Sequence, residues 1–216
     1  MIHCSNEFKD YYNVNKMSNN KLLLVLDLDE TLVSTTFNNS AFDAVNDIKK
    51  YDKPPSLIWE NYYIFLRPFV NEFLNYCLTN YNVAIWTASS SIYANKIVDL
   101  LFGKHRNKLK FIYTRDHTLK INKQLGMYAP ITTEYIKQLK KVQQFRFSLD
   151  KTLVIDDNPE SYSQNVNNAI HVQGWYGESD DKELLELISY LRQNFENTNV
   201  NDVRLINKYN WKKTIV

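Results

Sequence analysis

The chain is expected to fold as an α/β protein with a central parallel sheet flanked by helices. Three observations carry that expectation. Aliphatic runs end in polar or acidic residues at "LLLVLDLDETLV" (22–33), "NVAIWTASS" (82–90) and "KTLVIDDNPES" (151–161). Amphipathic stretches separate these runs, and no low-complexity linker divides them. A strand covered on both faces by crossover helices reads as a continuous apolar run, so the alternation points to a parallel sheet.

Each element follows in order. The polar first twenty residues predict a loose arm (1–20) ahead of a single domain over 21–216. Residues 22–26 predict the first buried strand. The polar stretch 34–57, with Pro54-Pro55, predicts an excursion of irregular or short-strand structure. "IWENYYIFL" (58–66) reads as a strand entering a helix, with Pro68 in its first turn and Phe69, Phe73, Leu74 and Cys77 on one face. A second helix, 91–102, would end at Gly103. "KLKFIYTRD" (108–116) predicts a third strand, and "TTEYIKQLKKVQQF" (132–145) an amphipathic helix capped by Thr132 or Thr133. "NAIHVQGW" (168–175) predicts the last strand, and "SDDKELLELISYLRQNF" (179–195) a closing helix with acids at its start.

Composition narrows the class. Hydrophobic residues make up 44% of 216 and charged residues 23%, a globular balance. A net charge of +2 predicts neither a nucleic-acid stripe nor a polybasic membrane arm. No apolar run approaches the length that spans a bilayer, and the first residues do not read as a signal peptide. Two cysteines, Cys4 and Cys77, predict a reducing compartment without a disulfide framework.

The polar tips of the strands predict the chemistry. In open parallel sheets ligands sit beyond the carboxyl ends of the strands, so Asp27, Asp29, Thr87, Ser89, Asp156 and Asp157 should meet on one rim. Asp27 and Asp29 share a side while the chain stays extended. Crowded carboxylates are best tolerated around a divalent cation, and an all-oxygen shell suits Mg²⁺. The four histidines lack zinc-site spacing. With a metal present, one aspartate can serve as nucleophile and another as proton donor, while hydroxyls and a lysine hold the phosphate. Plainer readings exist for each piece: "TASS" as a helix start, "DDNPE" as a capped turn, Lys137 as a solvated helix lysine.

The wording "LDLDETLV" resembles the haloacid dehalogenase superfamily, in particular the small phosphatases that act on the C-terminal domain of RNA polymerase II. "FLRPFVNEFL", "IWTASSSIYANKIVDLL", "YIKQL", "VIDDNPESY", "NAIHVQGWYG" and "DKELLELISYL" fall in that family's order, from Leu22 to Val203. The resemblance implies a Rossmann-like fold with a small β insertion after the first motif and no large cap. It implies a Mg²⁺-dependent phosphoserine/phosphothreonine phosphatase working through an aspartyl-phosphate. Asp27 matches the nucleophile and Asp29 the general acid/base, Thr87 the phosphate-binding hydroxyl and Lys137 the screening lysine. The side chains of Asp27 and Asp157 and the backbone carbonyl of Asp29 match metal ligands, with Asp156 a supporting acid. Thr31 matches a residue that braces the loop, on the substrate side of the site with Ser89. Arg115 matches an arginine on the substrate phosphate, and Phe37 and Tyr93 match aromatic residues around a substrate proline.

Two features depart from the family pattern. "HTLKINKQLGMYAPITT" lengthens the stretch between Arg115 and Lys137, and Asp157 stands where many members have asparagine. The expected partner is a phosphoprotein such as the polymerase tail, met by a nuclear or cytoplasmic monomer without nucleic acid or membrane. The competing readings are a nucleic-acid 3′-phosphatase and a non-catalytic receptor on the same fold.

Overall fold

The computed structural model describes residues 21–37, 50–124, 126, 129–196 and 200–215, so the arm expected over 1–20 and Cys4 lie outside the described residues. Five parallel strands form the central sheet. These are β1 (Leu23–Leu26), β5 (Asn82–Trp86), β6 (Ile112–Tyr113), β9 (Thr152–Asp156) and β10 (Ala169–His171), in the order β10-β9-β1-β5-β6. The most aliphatic run therefore lies in the middle, paired in register with Asn82–Ile85 on one side and Thr152–Ile155 on the other. Both of its faces are buried, as a continuous apolar run requires.

Alternation along β1 divides the core in two. Leu24 and Leu26 face the layer holding α1 (Val70–Asn80), α2 (Ser91–Phe102) and α3 (Glu183–Leu191). Leu23 and Val25 face the opposite layer with Trp86, Val154, Leu139 and Val142. That second layer is covered by 3-10 segments, chiefly 139–145 and 159–168, while α1, α2 and α3, the α-helices of the described residues, lie on the first. Among the described residues no helix is long and apolar enough to cross a membrane.

Of the excursion expected over 34–57, residues 38–49 lie outside the described residues; the flanking chain forms a three-stranded antiparallel sheet, ordered β2 (Val33–Phe37), β4 (Tyr62–Leu66), β3 (Leu57–Trp59). Residues 58–66, expected as one strand, turn back at Glu60-Asn61, where Glu60 takes φ 52° and Trp59 comes to pair with Tyr62. The positive φ closes a two-residue hairpin. Pro68 precedes α1 instead of entering its first turn. Phe69 at the N-cap has φ 62°, which swings its ring out of the apolar face formed by Val70, Phe73, Leu74 and Cys77. Gly103 ends α2 with φ 45°, as its sequence position predicts. Cys77 is buried and unpaired.

The largest correction concerns 132–145. The expected amphipathic helix is instead strand β8 (Ile131–Ile136), followed by the 3-10 turn at 139–145. β8 pairs antiparallel with β7 (Leu119–Gln124) along its whole length. Thr132, Thr133, Tyr135 and Ile136 are β-branched or aromatic, and a partner strand with Leu119 and Ile121 settles the competition against a helix. The extra stretch before Lys137 is thus a hairpin.

Candidate active site

Asp27 follows directly on β1, and its N–H continues the ladder by donating to the Ile155 carbonyl. The chain then turns tightly. Leu32 and Val33 both donate to the Leu28 carbonyl, and Leu28 and Leu32 are fully buried. Those two leucines anchor the loop while Asp27 and Asp29 face a cleft of about 750 Å³. Glu30 takes φ 57°, and its carbonyl accepts from the Trp175 N–H. Glu30 is half-buried at the cleft edge, where burial and the charges of Asp29 and Asp157 push its carboxyl up to about 7.

Lys137 sits just past β8, with its N–H on the Ser161 carbonyl. Its Nζ donates to Asp27 Oδ1 at 2.5 Å and to Asp156 Oδ2 at 2.6 Å, and the side chain is 2% exposed. The reading as a solvated helix lysine therefore fails. Burial works against the ammonium, but Asp156 and Asp27 outweigh it and raise its pKa. Asp156 also accepts from Ser161 Oγ at 2.6 Å and the Asn158 N–H at 2.9 Å. Asn158 caps the turn that Pro159 begins, so the capped-turn reading of "DDNPE" holds alongside the functional one. Asp27 is pushed well up by burial, with Asp156 and Asp29 adding to the rise and Lys137 opposing it.

Asp29 has separate partners. Ser89 Oγ donates to its Oδ2 at 2.6 Å and Tyr93 Oη to its Oδ1 at 2.5 Å, with Thr87 Oγ1 more distant at 3.4 Å. Tyr93 has one proton, so Thr35 Oγ1, 2.6 Å away, donates to it. Thr87 and Ser89 reach this place because β5 ends at Trp86 and Ser90 caps α2, whose N-terminal end opens on the cleft. "TASS" is thus both helix start and site.

Asp27, Asp156 and Asp157 bring carboxylate oxygens within 4.8 Å of one another. Three carboxylates against one ammonium leave an excess of two negative charges, and burial together with Asp156 pushes Asp157 up as well. Hard oxygen donors carrying that excess fit a divalent cation such as Mg²⁺. The Asp29 carboxylate is occupied by hydroxyls, which leaves its backbone carbonyl as the group the resemblance assigns to a metal. Thr31 is fully buried and gives its hydroxyl to Asp157 at 3.1 Å, so it braces the acidic loop without lining the cleft.

The walls differ in character. Phe37, 43% exposed, lies 5.0 Å from the Tyr62 ring, which lies 5.6 Å from the Tyr93 ring. The register places Phe37 opposite Tyr62, so the β insertion builds one aromatic wall. Arg115 also lines the cleft, with Nε on the Ala88 carbonyl at 2.7 Å and its guanidinium 5.0 Å over Tyr135. Sequence reasoning missed Tyr62, Tyr135 and Ser161. Cross-strand pairing with Phe37 was the available signal for Tyr62, and position 135 was read as helix.

The fully buried Arg67 was also missed. It donates to both Asp181 oxygens and to the carbonyls of Thr31 at 3.0 Å, Gln173 at 2.8 Å and, more weakly, Glu30 at 3.4 Å. It clamps the acidic loop to the segment after β10.

Comparison with known proteins agrees with this arrangement. "CTD small phosphatase-like protein 2" of Dictyostelium discoideum is 32% identical over 191 residues, covering 87% of this chain and 29% of that protein. "Nuclear envelope morphology protein 1" of Saccharomyces cerevisiae is 32% identical over 195 residues, covering 85% and 41%. The mouse "Carboxy-terminal domain RNA polymerase II polypeptide A small phosphatase 2" is 29% identical over 180 residues, covering 81% and 58%. The chain thus spans from under a third to somewhat over half of these relatives' lengths. Among solved structures, that of Fcp1, "an essential RNA polymerase II CTD phosphatase", matches with a TM-score of 0.57 over 91% of this chain and 72% of that one. At 15% identity that likeness shows the fold alone, the haloacid dehalogenase fold expected from the sequence. The family model of the NLI interacting factor-like phosphatases matches residues 22–204, which takes in every cleft residue named above. The chain belongs to that family.

Proposed function

We propose that this chain removes phosphate from phosphoserine or phosphothreonine in protein segments, through a phosphorylated Asp27 and with Mg²⁺ as cofactor. The observation that carries the reading is the pairing of two differently held acids in one cleft. Asp27 is buried against Lys137, while Asp29 is gripped by hydroxyls beside it. Environments that separate two carboxyl groups in this way support separate roles for them.

Asp27 attacks phosphorus as the bond from phosphorus to the serine oxygen breaks, and Asp29 gives its proton to the leaving oxygen. Asp29 then takes a proton from the water that attacks the acyl phosphate, which frees phosphate and restores Asp27. The proton gained in that second half is the one spent in the next turnover. Lys137 keeps one Asp27 oxygen engaged so that the other points at the phosphorus, and Thr87, Ser89 and Arg115 face the phosphate oxygens. Asp27, Asp156 and Asp157 would hold Mg²⁺, which supplies charge neutralisation on the transferring phosphoryl group. The aromatic wall of Phe37, Tyr62 and Tyr93 suits a proline ring next to the phosphoresidue, as in the polymerase tail named for several relatives. In this reading 21–216 work as one monomeric catalytic domain in the nucleus or cytoplasm.

Asp27→Asn tests it. Turnover of an aryl phosphate with Mg²⁺ should fall at least about a thousandfold, because the covalent route is lost, while the circular dichroism spectrum stays unchanged. Retained activity in a folded variant rules out Asp27 as nucleophile. Wild-type turnover of a phospho-Ser-Pro peptide should exceed that of a 3′-phosphorylated oligonucleotide, and the reverse order favours a nucleic-acid substrate.

A further inference from the structure

The hairpin β7–β8 has an inner and an outer face, and the catalytic role of Lys137 uses neither. Pairing register sorts them. Leu119, Ile121 and Lys123 share the inner face with Thr132, Glu134 and Ile136; Ile136 is buried, Leu119 and Ile121 are half-buried, and Lys123 pairs with Glu134. Lys120, Asn122 and Gln124 share the outer face with Ile131, Thr133 and Tyr135. Of these Tyr135 alone is half-buried, and Ile131 is 66% exposed. Thr133 Oγ1 donates to Asn122 Oδ1 at 3.0 Å across the middle of the face.

This outer face is continuous with the cleft. Tyr135 lines the cleft and carries the Arg115 guanidinium over its ring, and Lys120 lies directly across the ladder from it. From Tyr135 to Ile131 the strand runs outward for about 13 Å, the reach of roughly four extended residues. Arg115 and Lys120 make the near end positive, and among the described residues no carboxylate pairs with Lys120. A strand face with cations at its cleft end matches an extended, negatively charged chain better than a compact metabolite.

We propose that the outer face of this hairpin binds the part of a phosphoprotein that flanks the phosphoresidue. Lys120 then selects an acidic side chain or a second phosphate within about four positions of it. The proposal rests on the phosphoprotein reading above and adds to it a preference for acidic flanks, supplied by the stretch in which this chain is longer than its family's pattern.

Lys120→Glu is the test, with Ile131→Asp as a second variant at the far end of the face. On a phosphoserine peptide with acidic residues at two and three positions, Lys120→Glu should raise KM and lower kcat/KM about tenfold, equivalent to about 1.4 kcal/mol. A peptide with neutral flanks should change less than about twofold, and an aryl phosphate not at all. Ile131→Asp should weaken a peptide long enough to reach it and spare a shorter one. Equal kcat/KM on all substrates in both variants overturns the proposal, as does a parallel loss on the aryl phosphate. Lys120 dependence confined to a 3′-phosphorylated oligonucleotide overturns it as well. If the wild type hydrolyses neither peptide nor aryl phosphate, the phosphatase reading fails by itself. Fluorescence anisotropy of the labelled acidic phosphopeptide then decides on the hairpin: weaker binding by Lys120→Glu upholds it, and unchanged binding removes it.

Discussion

Tyr93 has two properties that one substitution separates. Its ring belongs to the aromatic wall, and its hydroxyl donates to Asp29 at 2.5 Å. Tyr93→Phe keeps the ring and leaves Asp29 with Ser89 alone at close range. A hydrogen bond to a charged group is worth about 1.5–3 kcal/mol. If that bond fixes the direction of the proton-transferring carboxyl, kcat should fall by about ten- to a hundredfold while KM for a phosphopeptide moves less than twofold. A raised KM with unchanged kcat would leave Tyr93 as wall only. The family resemblance placed Tyr93 beside a substrate proline, yet nothing signalled the hydroxyl's partner, because Asp29 lies 64 residues away. The surroundings of Glu30 are hidden in the sequence for the same reason. Its environment comes from Trp175, Arg67 and Asp157, none of them near it in the chain.

At the scale of elements, legibility followed the source of each preference. β1, β5 and β9 were readable because burial on both faces leaves an unbroken apolar run that no local feature contradicts. The hairpin was not, because Ile136, Leu139 and Val142 recur at helical spacing and only the distant partner β7 reveals the strand. Arg67 was equally invisible, since "FLRPF" reads as a strand end whether or not the arginine is exposed. Its position joins β4 to the loop before β2 and to Gln173 after β10. Arg67→Met leaves Asp181 without its ion-pair partner and the carbonyls of Thr31 and Gln173 without this donor, while the Glu30 carbonyl keeps the Trp175 N–H. Removing one member of such a buried pair costs about 3–5 kcal/mol. Asp181→Asn, which keeps a hydrogen-bond acceptor near Arg67, should cost less, and the double variant should cost less than the sum of the singles. Urea unfolding of the four proteins measures this, and full additivity would show that the two residues act independently.

Across the whole molecule, folding draws together charges that the chain keeps far apart. Lys137 lies 110 residues from Asp27, and Thr31 lies 126 from Asp157. The motifs announced that these groups belong to one rim, whereas the buried lysine that holds two of the acids was visible only through family resemblance. Assembling three carboxylates around one ammonium leaves an excess of negative charge that the unfolded chain does not suffer. A cation that binds the native cluster and not the unfolded chain must therefore stabilise the fold by mass action. At a hundred times its Kd the gain is about 2.7 kcal/mol, which for a chain of this size corresponds to a Tm rise of about 5–10 °C. Mg²⁺ added to chelator-treated protein should produce that rise, and Asp157→Asn should shrink it by weakening the donor set. The same variant should melt no lower than wild type in chelator, because it removes one member of the like-charge crowd. A Tm that ignores Mg²⁺ in the wild type would mean that the acids do not bind the cation, whatever the activity assay reports. A rise that survives Asp157→Asn unchanged would place the cation elsewhere on the chain.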